Sequence, residues 1–287
     1  MNASNVGITI AICTRHRPSE LARCLASIPV TIGAQILVSD DSIDDASKLL
    51  VESQFPHVTW IPGPRLGLGA NRNAAISCAL GRYILFLDDD AALGPSFLDV
   101  ALKMTQGDHR TIVTGQELNN GRLVFPRKTT FLGHQKVRYG DSEEFSTIVI
   151  NATIFPREMF STVSFDGTLI FGYDEIDVCA QAIAAGYRII YCSDAVNFHY
   201  PSSSGRDYYR GQTEISRIYV TYKIYRWLDG GIAKAWIFFA LASIHFFAFT
   251  LKRQGLRSWH TAWTDWRNIL RRVKGSKPRG VLCAGKS

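Results

Sequence analysis

Short apolar runs alternate with helix-period patterns through the first half of the chain. Val6–Cys13, Gln35–Ser39, Val58–Ile61, Arg82–Leu87 and Thr111–Thr114 are short, rich in β-branched or aromatic residues and bounded by Gly, Pro or Asp, which predicts strands. Between them, Pro18 followed by Leu21, Leu25 and Ile28 at helical spacing predicts a helix with proline in its first turn. Asp44 or Asp45 is placed to cap a second helix, and Leu68–Leu80 forms a third. The β-α-β-α-β order implies an α/β fold with a mostly parallel sheet flanked by helices. The second half is less regular: a polar stretch Gly115–Ser146, an apolar run Thr147–Phe155, a helix near Asp174–Ala185 and a strand-like Arg188–Tyr191. Pro201, three serines and Gly205 make Tyr200–Arg210 read as a mobile loop.

Composition excludes the disordered and collagen-like classes, because 46% of the 287 residues are hydrophobic and 20% charged. The charge is unevenly placed. Residues 1–216 carry 18 Lys+Arg against 23 Asp+Glu, and residues 217–287 carry 14 against 2. This asymmetry predicts a mildly acidic globular unit over 1–216 and a basic tail over 217–287 that meets an anionic surface. Six widely spaced cysteines without a CxxC pair indicate neither a zinc cluster nor a disulfide framework, and Met1–Asn5 has no basic leader region, so a reducing cytosol is expected.

Within the tail, Ala235–Leu251 has 14 apolar residues out of 17. At 1.5 Å per residue it spans roughly 25 Å, short of a bilayer crossing. Basic residues flank it on both sides, Lys223, Arg226 and Lys234 before and Lys252, Arg253 and Arg257 after, which favours a helix lying in or dipping into the interface; the alternative is a buried core helix. Trp259, Trp263, Trp266, Ile269, Leu270 and Val273 then recur at helical spacing beside Arg267, Arg271, Arg272 and Lys274, the pattern of an amphipathic helix with indoles at headgroup level. No nucleic-acid-binding motif accompanies these basic residues.

In an open α/β sheet, ligands collect beyond the carboxyl ends of the strands. Here those ends are polar: Thr14-Arg15, Asp40-Asp41 and Asp88-Asp89-Asp90. Three adjacent carboxylates need compensating positive charge, and Mg²⁺ or Mn²⁺ carrying a substrate diphosphate supplies it economically. The bland alternative is a solvated acidic turn leading into the helix after Gly94. Gly67-x-Gly69 lacks the third small residue of a dinucleotide fingerprint, since Arg72 stands in its place.

These pieces together resemble the family 2 inverting glycosyltransferases, with the nucleotide-sugar-binding fold called GT-A, over about Val6–Tyr200. The resemblance is carried in order by Ile8–Arg15 with Arg17-Pro18, Ile36–Asp41, Gly67–Asn73 and Phe86–Asp90. Phe165-Asp166, Gly172–Asp177, Gly186–Arg188 and His199 complete it. It implies that Thr14 and Arg15 line a nucleotide pocket and that Asp40 or Asp41 meets the pyrimidine edge. Arg72 would help hold the base or diphosphate. Asp88 and Asp90 match the acidic positions of a DxD motif, with Asp89 between them. The first acid tends towards the ribose and the last towards a Mn²⁺ or Mg²⁺ ion that His199 also binds. The turn after Asp41 reads Ser42-Ile43-Asp44 without the family's usual glycine, which leaves Asp40 and Asp41 as alternatives.

Inversion requires a carboxylate to take the proton of the attacking hydroxyl. Alignment through Asp177 puts Glu175 in that place, with the family's Glu-Asp order reversed to Asp174-Glu175, so both remain candidates for the catalytic base. The implied donor is a UDP- or dTDP-sugar, and the implied acceptor a lipid-linked or cell-envelope glycan at the cytoplasmic face of the membrane. The alternatives are a non-catalytic nucleotide-sugar-binding scaffold and a soluble transferase whose tail dimerises.

Overall fold

The computed structural model describes residues 7–201, 206–254 and 259–276. β1 (Ile8–Thr14) is buried along its whole length, because a central parallel strand is covered on both faces. It pairs in parallel with β2 (Gln35–Asp40), beyond which lies β3 (Thr59–Pro62), and on its other side with β4 (Tyr83–Asp88). The connections are α1 (Pro18–Ala26), α2 (Ala46–Gln54) and α3 (Leu68–Cys78), each close to its expected place. The two-residue β5 (Ala91–Ala92) and α4 (Phe97–Thr105) follow.

The rest of the sheet is mixed rather than continued in parallel. β6 (Thr111–Asn119) runs past the expected Thr114, and β7 (Arg122–Val124) folds back on it; β8 (Lys128–Thr129) and β9 (Gln135–Val137) form a separate ribbon. The apolar run Thr147–Phe155 divides into a 3₁₀ turn, Ile150–Ala152, and β10 (Thr153–Pro156), which inserts antiparallel between β4 and β6. After α5 (Asp174–Ala184), β11 (Arg188–His199) runs parallel to β6, and the strand order is β3-β2-β1-β4-β10-β6-β11-β5. A register shift between Tyr191 and Val196 carries β11 beyond the expected Tyr191 and pairs His199 with Ala91.

Two apolar layers sandwich this sheet. One gathers Ile10, Ile12, Leu21, Leu25 and Phe97, the other Leu37, Phe86, Phe155, Phe165 and Val178. Cys13, Cys24, Cys179 and Cys192 are buried free thiols in or beside these layers and Cys78 is an exposed one; Cys283 lies outside the described residues, as do Met1–Asn5.

Among the described residues three helices follow: α6 (Arg206–Lys223), continued by a π turn at Ile224–Leu228, α7 (Ile232–Gln254) and α8 (Trp259–Gly275). Of the loop expected over Tyr200–Arg210, residues 202–205 lie outside the described residues, and α6 already begins at Arg206. The expected division after residue 216 falls inside α6, whose Ile215, Ile218 and Tyr219 share a core with Leu169, Tyr173 and Ile176 of the body and with Phe238, Trp266 and Ile269 of α7 and α8. A buried ion network crosses the same seam: Lys223 Nζ donates to Asp166 Oδ2 at 2.9 Å and to Asp177 Oδ2 at 2.8 Å, and Tyr219 Oη donates to Asp166 Oδ2 at 2.9 Å.

Of the two apolar stretches of the tail, both expected at a membrane interface, the second has other surroundings: its apolar side chains meet protein. On α8, Trp266, Ile269 and Val273 are buried inside the helical bundle, where the Phe239 and Phe246 rings of α7 pack on Trp266; Trp263 remains exposed, and the Trp259 side chain lies outside the described residues. α7 is longer than the apolar run alone suggested. Ile232–Lys252 is long and apolar enough to cross a membrane by length and composition, with a mean hydropathy of 1.8 and only 28% of it buried. Ala235, Phe238, Phe239, Ala242 and Phe246 face the bundle, whereas Ile237, Leu241, Ile244 and Phe249 are exposed.

Candidate active site

The parallel register brings three strand ends level, with Cys13 opposite Asp88 and Thr14 opposite Asp40. β6 carries Glu117 near its own end, and β11 delivers His199 against the turn after β4, where Tyr200 N donates to Asp90 O at 2.9 Å. Asp88, Asp90 and His199 converge, each offering a ligand atom within 4.8 Å of the others. Two carboxylates and an imidazole make an oxygen-rich donor set of the kind that suits Mn²⁺ or Mg²⁺, so these residues fit a divalent ion.

The surrounding hydrogen bonds fix this cluster. His199 Nε2 lies 3.1 Å from Asp90 Oδ1 and its Nδ1 lies 3.0 Å from Glu117 Oε1. Burial opposes a charge on this ring, but the hydrogen bonds to Asp90 and Glu117 outweigh it and lift His199 to about 10. Asn151 holds Asp88 at two points, accepting from its backbone N–H at 2.8 Å and donating to Oδ2 at 3.2 Å, and donates to Glu117 Oε2 at 3.3 Å. Arg17 reaches across from the loop after β1 and donates to Asp89 Oδ1 at 2.6 Å and Asp90 Oδ2 at 2.8 Å. Burial works against ionisation of Asp90, yet His199 and Arg17 hold its carboxyl well below the usual range.

Asp89 stands apart from its two neighbours. It is 3% exposed and accepts the Thr14 hydroxyl at 2.8 Å on Oδ2, so burial, aided by Asp90 and Asp88, pushes its carboxyl up to about 7 against the pull of Arg17. Asp40 and Asp41 are both buried but differently engaged. Asp40 accepts from Ser42 and from Trp60 Nε1 at 3.3 Å, whereas Asp41 accepts the backbone N–H groups of Arg65 at 2.9 Å and Gly67 at 3.3 Å. Gly63 packs so closely that a Cβ there would lie 2.2 Å from Asp41 Oδ1. Arg15 is exposed on the loop after β1.

Arg72 links the cluster to the candidate base. Its guanidinium is buried beside the Phe86 and Phe165 rings, 6.0 and 5.4 Å from their centroids, and donates to Asp88 Oδ1 at 3.0 Å and to Asp174 Oδ2. Burial opposes its charge, but Asp174 and Asp88 raise its pKa further above the ordinary arginine value. Tyr173 enters α5 at φ 64°, a left-handed turn that sets the direction of Asp174 and Glu175. Glu175 is partly buried, accepts from Gln135 Nε2 of β9 at 3.1 Å and is pushed up to about 7 by burial and by Asp174. Asp177 points instead into the Lys223 network and accepts from Gln181 Nε2 at 2.7 Å.

Arg17, Glu117, Asn151 and Gln135 were not singled out as site residues by the sequence. Arg17 stood within the resemblance but without a role, and the other three reach the site only through β6, β9 and the turn before β10.

A model of glycosyl transferase family 2 matches residues 9–161. The chain belongs to this family. Its fold is of the GT-A type. It is 26% identical over 116 residues to the succinoglycan biosynthesis protein ExoM of Rhizobium meliloti (strain 1021), covering 38% of each chain. It is 22% identical over 238 residues to the uncharacterized glycosyltransferase YibD of Escherichia coli (strain K12), covering 76% of this chain and 65% of that one. The chain thus spans less than two thirds of either relative.

Among solved structures, the fold is similar to residues 1–349 of TarS from S. aureus, with a TM-score of 0.62 at 17% identity over 93% of this chain and 81% of that one. GalNAc-T7, solved with UDP, GalNAc and Mn²⁺, gives 0.61 at 17% identity over 76% and 48%. The mannosyltransferase PcManGT from Pyrobaculum calidifontis, solved with GDP-Man and Mn²⁺, gives 0.56 at 15% identity over 96% and 89%.

Proposed function

We propose that the chain is a metal-dependent inverting glycosyltransferase that moves one sugar from a nucleoside-diphosphate donor to a lipid-linked or cell-envelope glycan at the cytoplasmic face of the membrane. The observation that carries this reading is that Asp88 belongs to two constellations at once. It stands in the cluster suited to a divalent ion with Asp90 and His199, and it shares Arg72 with Asp174, next to Glu175. The presence of UDP or GDP-Man with Mn²⁺ in two structures of similar fold supports a nucleotide-sugar donor and a divalent ion.

In this reading Asp88, Asp90 and His199 hold Mn²⁺ or Mg²⁺, whose chemistry is to offset the negative charge that develops on the leaving diphosphate. Thr14, Arg15 and Asp40 or Asp41 bound the nucleotide pocket at the ends of β1 and β2. Asp41 does so by holding the Arg65–Gly67 loop. Arg72, clamped between two aromatic rings, keeps Asp88 and Asp174 in register, and its guanidinium hydrogen bonds go to these two acids rather than to Glu175. Glu175 takes the proton of the acceptor hydroxyl, whose oxygen forms the new bond to the anomeric carbon as the bond to the diphosphate breaks. A carboxyl poised near 7 is matched to that work at neutral pH.

The exposed apolar face of α7, with Lys252 at its end, supports a membrane-lying placement, and the similarity to a succinoglycan biosynthesis protein supports a glycan acceptor. A screen of nucleotide sugars for diphosphate release with Mn²⁺ or Mg²⁺ tests the reading. The expected result is release with one donor class that stops on chelation. Release untouched by a chelator would overturn the metal dependence.

A further inference from the structure

A cleft of about 350 Å³ opens between α6 and α8, lined by Ile170, Gln212, Ile215, Asn268, Arg271 and Arg272. None of these residues belongs to the candidate active site. Among the described residues the lining holds two guanidinium groups, two neutral amides and no carboxylate. Arg271 is exposed, but Arg272 is partly buried, and its Nη1 is fully enclosed with no hydrogen-bond partner among the described residues. Asp166, an acid whose charge acts on it, is already engaged by Lys223 and Tyr219 on Oδ2 and by Thr168 on Oδ1. Burial disfavours the Arg272 charge, so an anion that enters the cleft beside this partly exposed side chain stabilises it, even without reaching Nη1.

We propose that this cleft binds a phosphate group. Guanidinium groups pair with phosphate through charge-assisted, often bidentate hydrogen bonds. A tetrahedral phosphate presents oxygens in several directions, so it can engage Arg271, Arg272, Asn268 and Gln212 together, whereas a planar carboxylate serves one guanidinium edge. Ile170 and Ile215 add apolar walls beside this polar floor, which suits a phosphate carried on an aliphatic group. The source is either a lipid headgroup or a soluble phosphate. In either case the ligand lies against the loop that leads through Phe171 and Gly172 into Asp174, since Ile170 lines the cleft and Ser216 of α6 donates to Phe171 O at 2.9 Å.

The test uses the full chain, inorganic pyrophosphate in the presence of a chelator at fixed ionic strength, and vesicles of phosphatidylcholine with and without phosphatidylglycerol. Thermal stabilisation by pyrophosphate that is at least tenfold weaker in the double variant Arg271→Gln, Arg272→Gln supports the site with a soluble phosphate. The same loss seen only with phosphatidylglycerol vesicles supports it with a lipid headgroup. Should the double variant fail to fold, Asn268→Asp supplies a second arm. Its new carboxylate pairs with Arg272, which raises the melting temperature and weakens the phosphate probe by a similar factor. A wild-type chain that binds neither probe, or variants that bind both as the wild type does, would overturn the proposal.

Discussion

Arg72 and Asp174 meet across 102 residues of chain, and this contact separates the roles of two adjacent acids. Asp174 is taken up in holding a guanidinium that also grips Asp88, while its neighbour Glu175 accepts from the Gln135 amide and is raised towards neutrality.

Glu175→Gln is therefore expected to lower kcat by about 10²-fold or more while donor affinity stays near normal, because a general base acts only in the transition state. Asp174→Asn loosens Arg72 and Asp88, so its effect falls on donor KM and on stability by about 3–5 kcal/mol, the range for breaking a buried ion pair. Steady-state kinetics with both variants checks this split. A larger kcat loss for Asp174→Asn would transfer the role of base.

The pH profile follows from the same group. A base whose carboxyl sits at about 7 is protonated and idle below that value, so turnover should rise as pH increases through about 7. The profile of residual activity in Glu175→Gln should lack this limb.

Asp90 accepts from Arg17 and faces His199, at the centre of the cluster that suits a divalent ion. Asp90→Asn is expected to abolish the Mn²⁺-dependent rise in melting temperature given by a nucleoside diphosphate, with the far-ultraviolet circular dichroism unchanged. Unaltered metal-dependent stabilisation would remove Asp90 from the site.

Lys223 compensates two buried acids at the seam between α5 and α6. Removing its charge in Lys223→Met takes the Lys223 ion pair from both Asp166 and Asp177 and should cost about 3–5 kcal/mol in denaturant unfolding. Burial opposes ionisation of Asp166, but Lys223 holds its carboxyl below the usual range, so its contribution to stability is present above about pH 4 and is lost as pH falls. In the variant burial prevails and the sign reverses, so the deficit should shrink on acidification.

On α7, Ile237 and Ile244 are 57% and 68% exposed, on a face that the bundle does not cover. If this face rests in a bilayer, Ile237→Ser with Ile244→Ser should weaken binding to anionic vesicles by about tenfold or more, since each side chain gains roughly 1.5–3 kcal/mol on burial. High salt should weaken the wild type as well, because 14 of the 16 charges after Ser216 are positive. Vesicle flotation checks both, and an unchanged variant would leave the tail to dimerisation.

Local pattern alone determined the first half of the molecule and the order of its polar strand ends. Strand period, Pro18 at a helix start and carboxylates after apolar runs are all written within a few residues of one another, and parallel pairing then makes their alignment unavoidable. Asp88, Asp90 and His199 were legible as a group through resemblance, yet only the bulged course of β11 decides that His199 faces Asp90 and Glu117. The antiparallel insertion of β10 was hidden because a short apolar run has the same composition in either direction. The tail shows the same limit more sharply. Periodicity reveals that α7 and α8 have apolar faces, but which of them meets protein depends on what α6 presents. Here Trp266, Ile269 and Val273 are enclosed, and the outer face of α7 is left open.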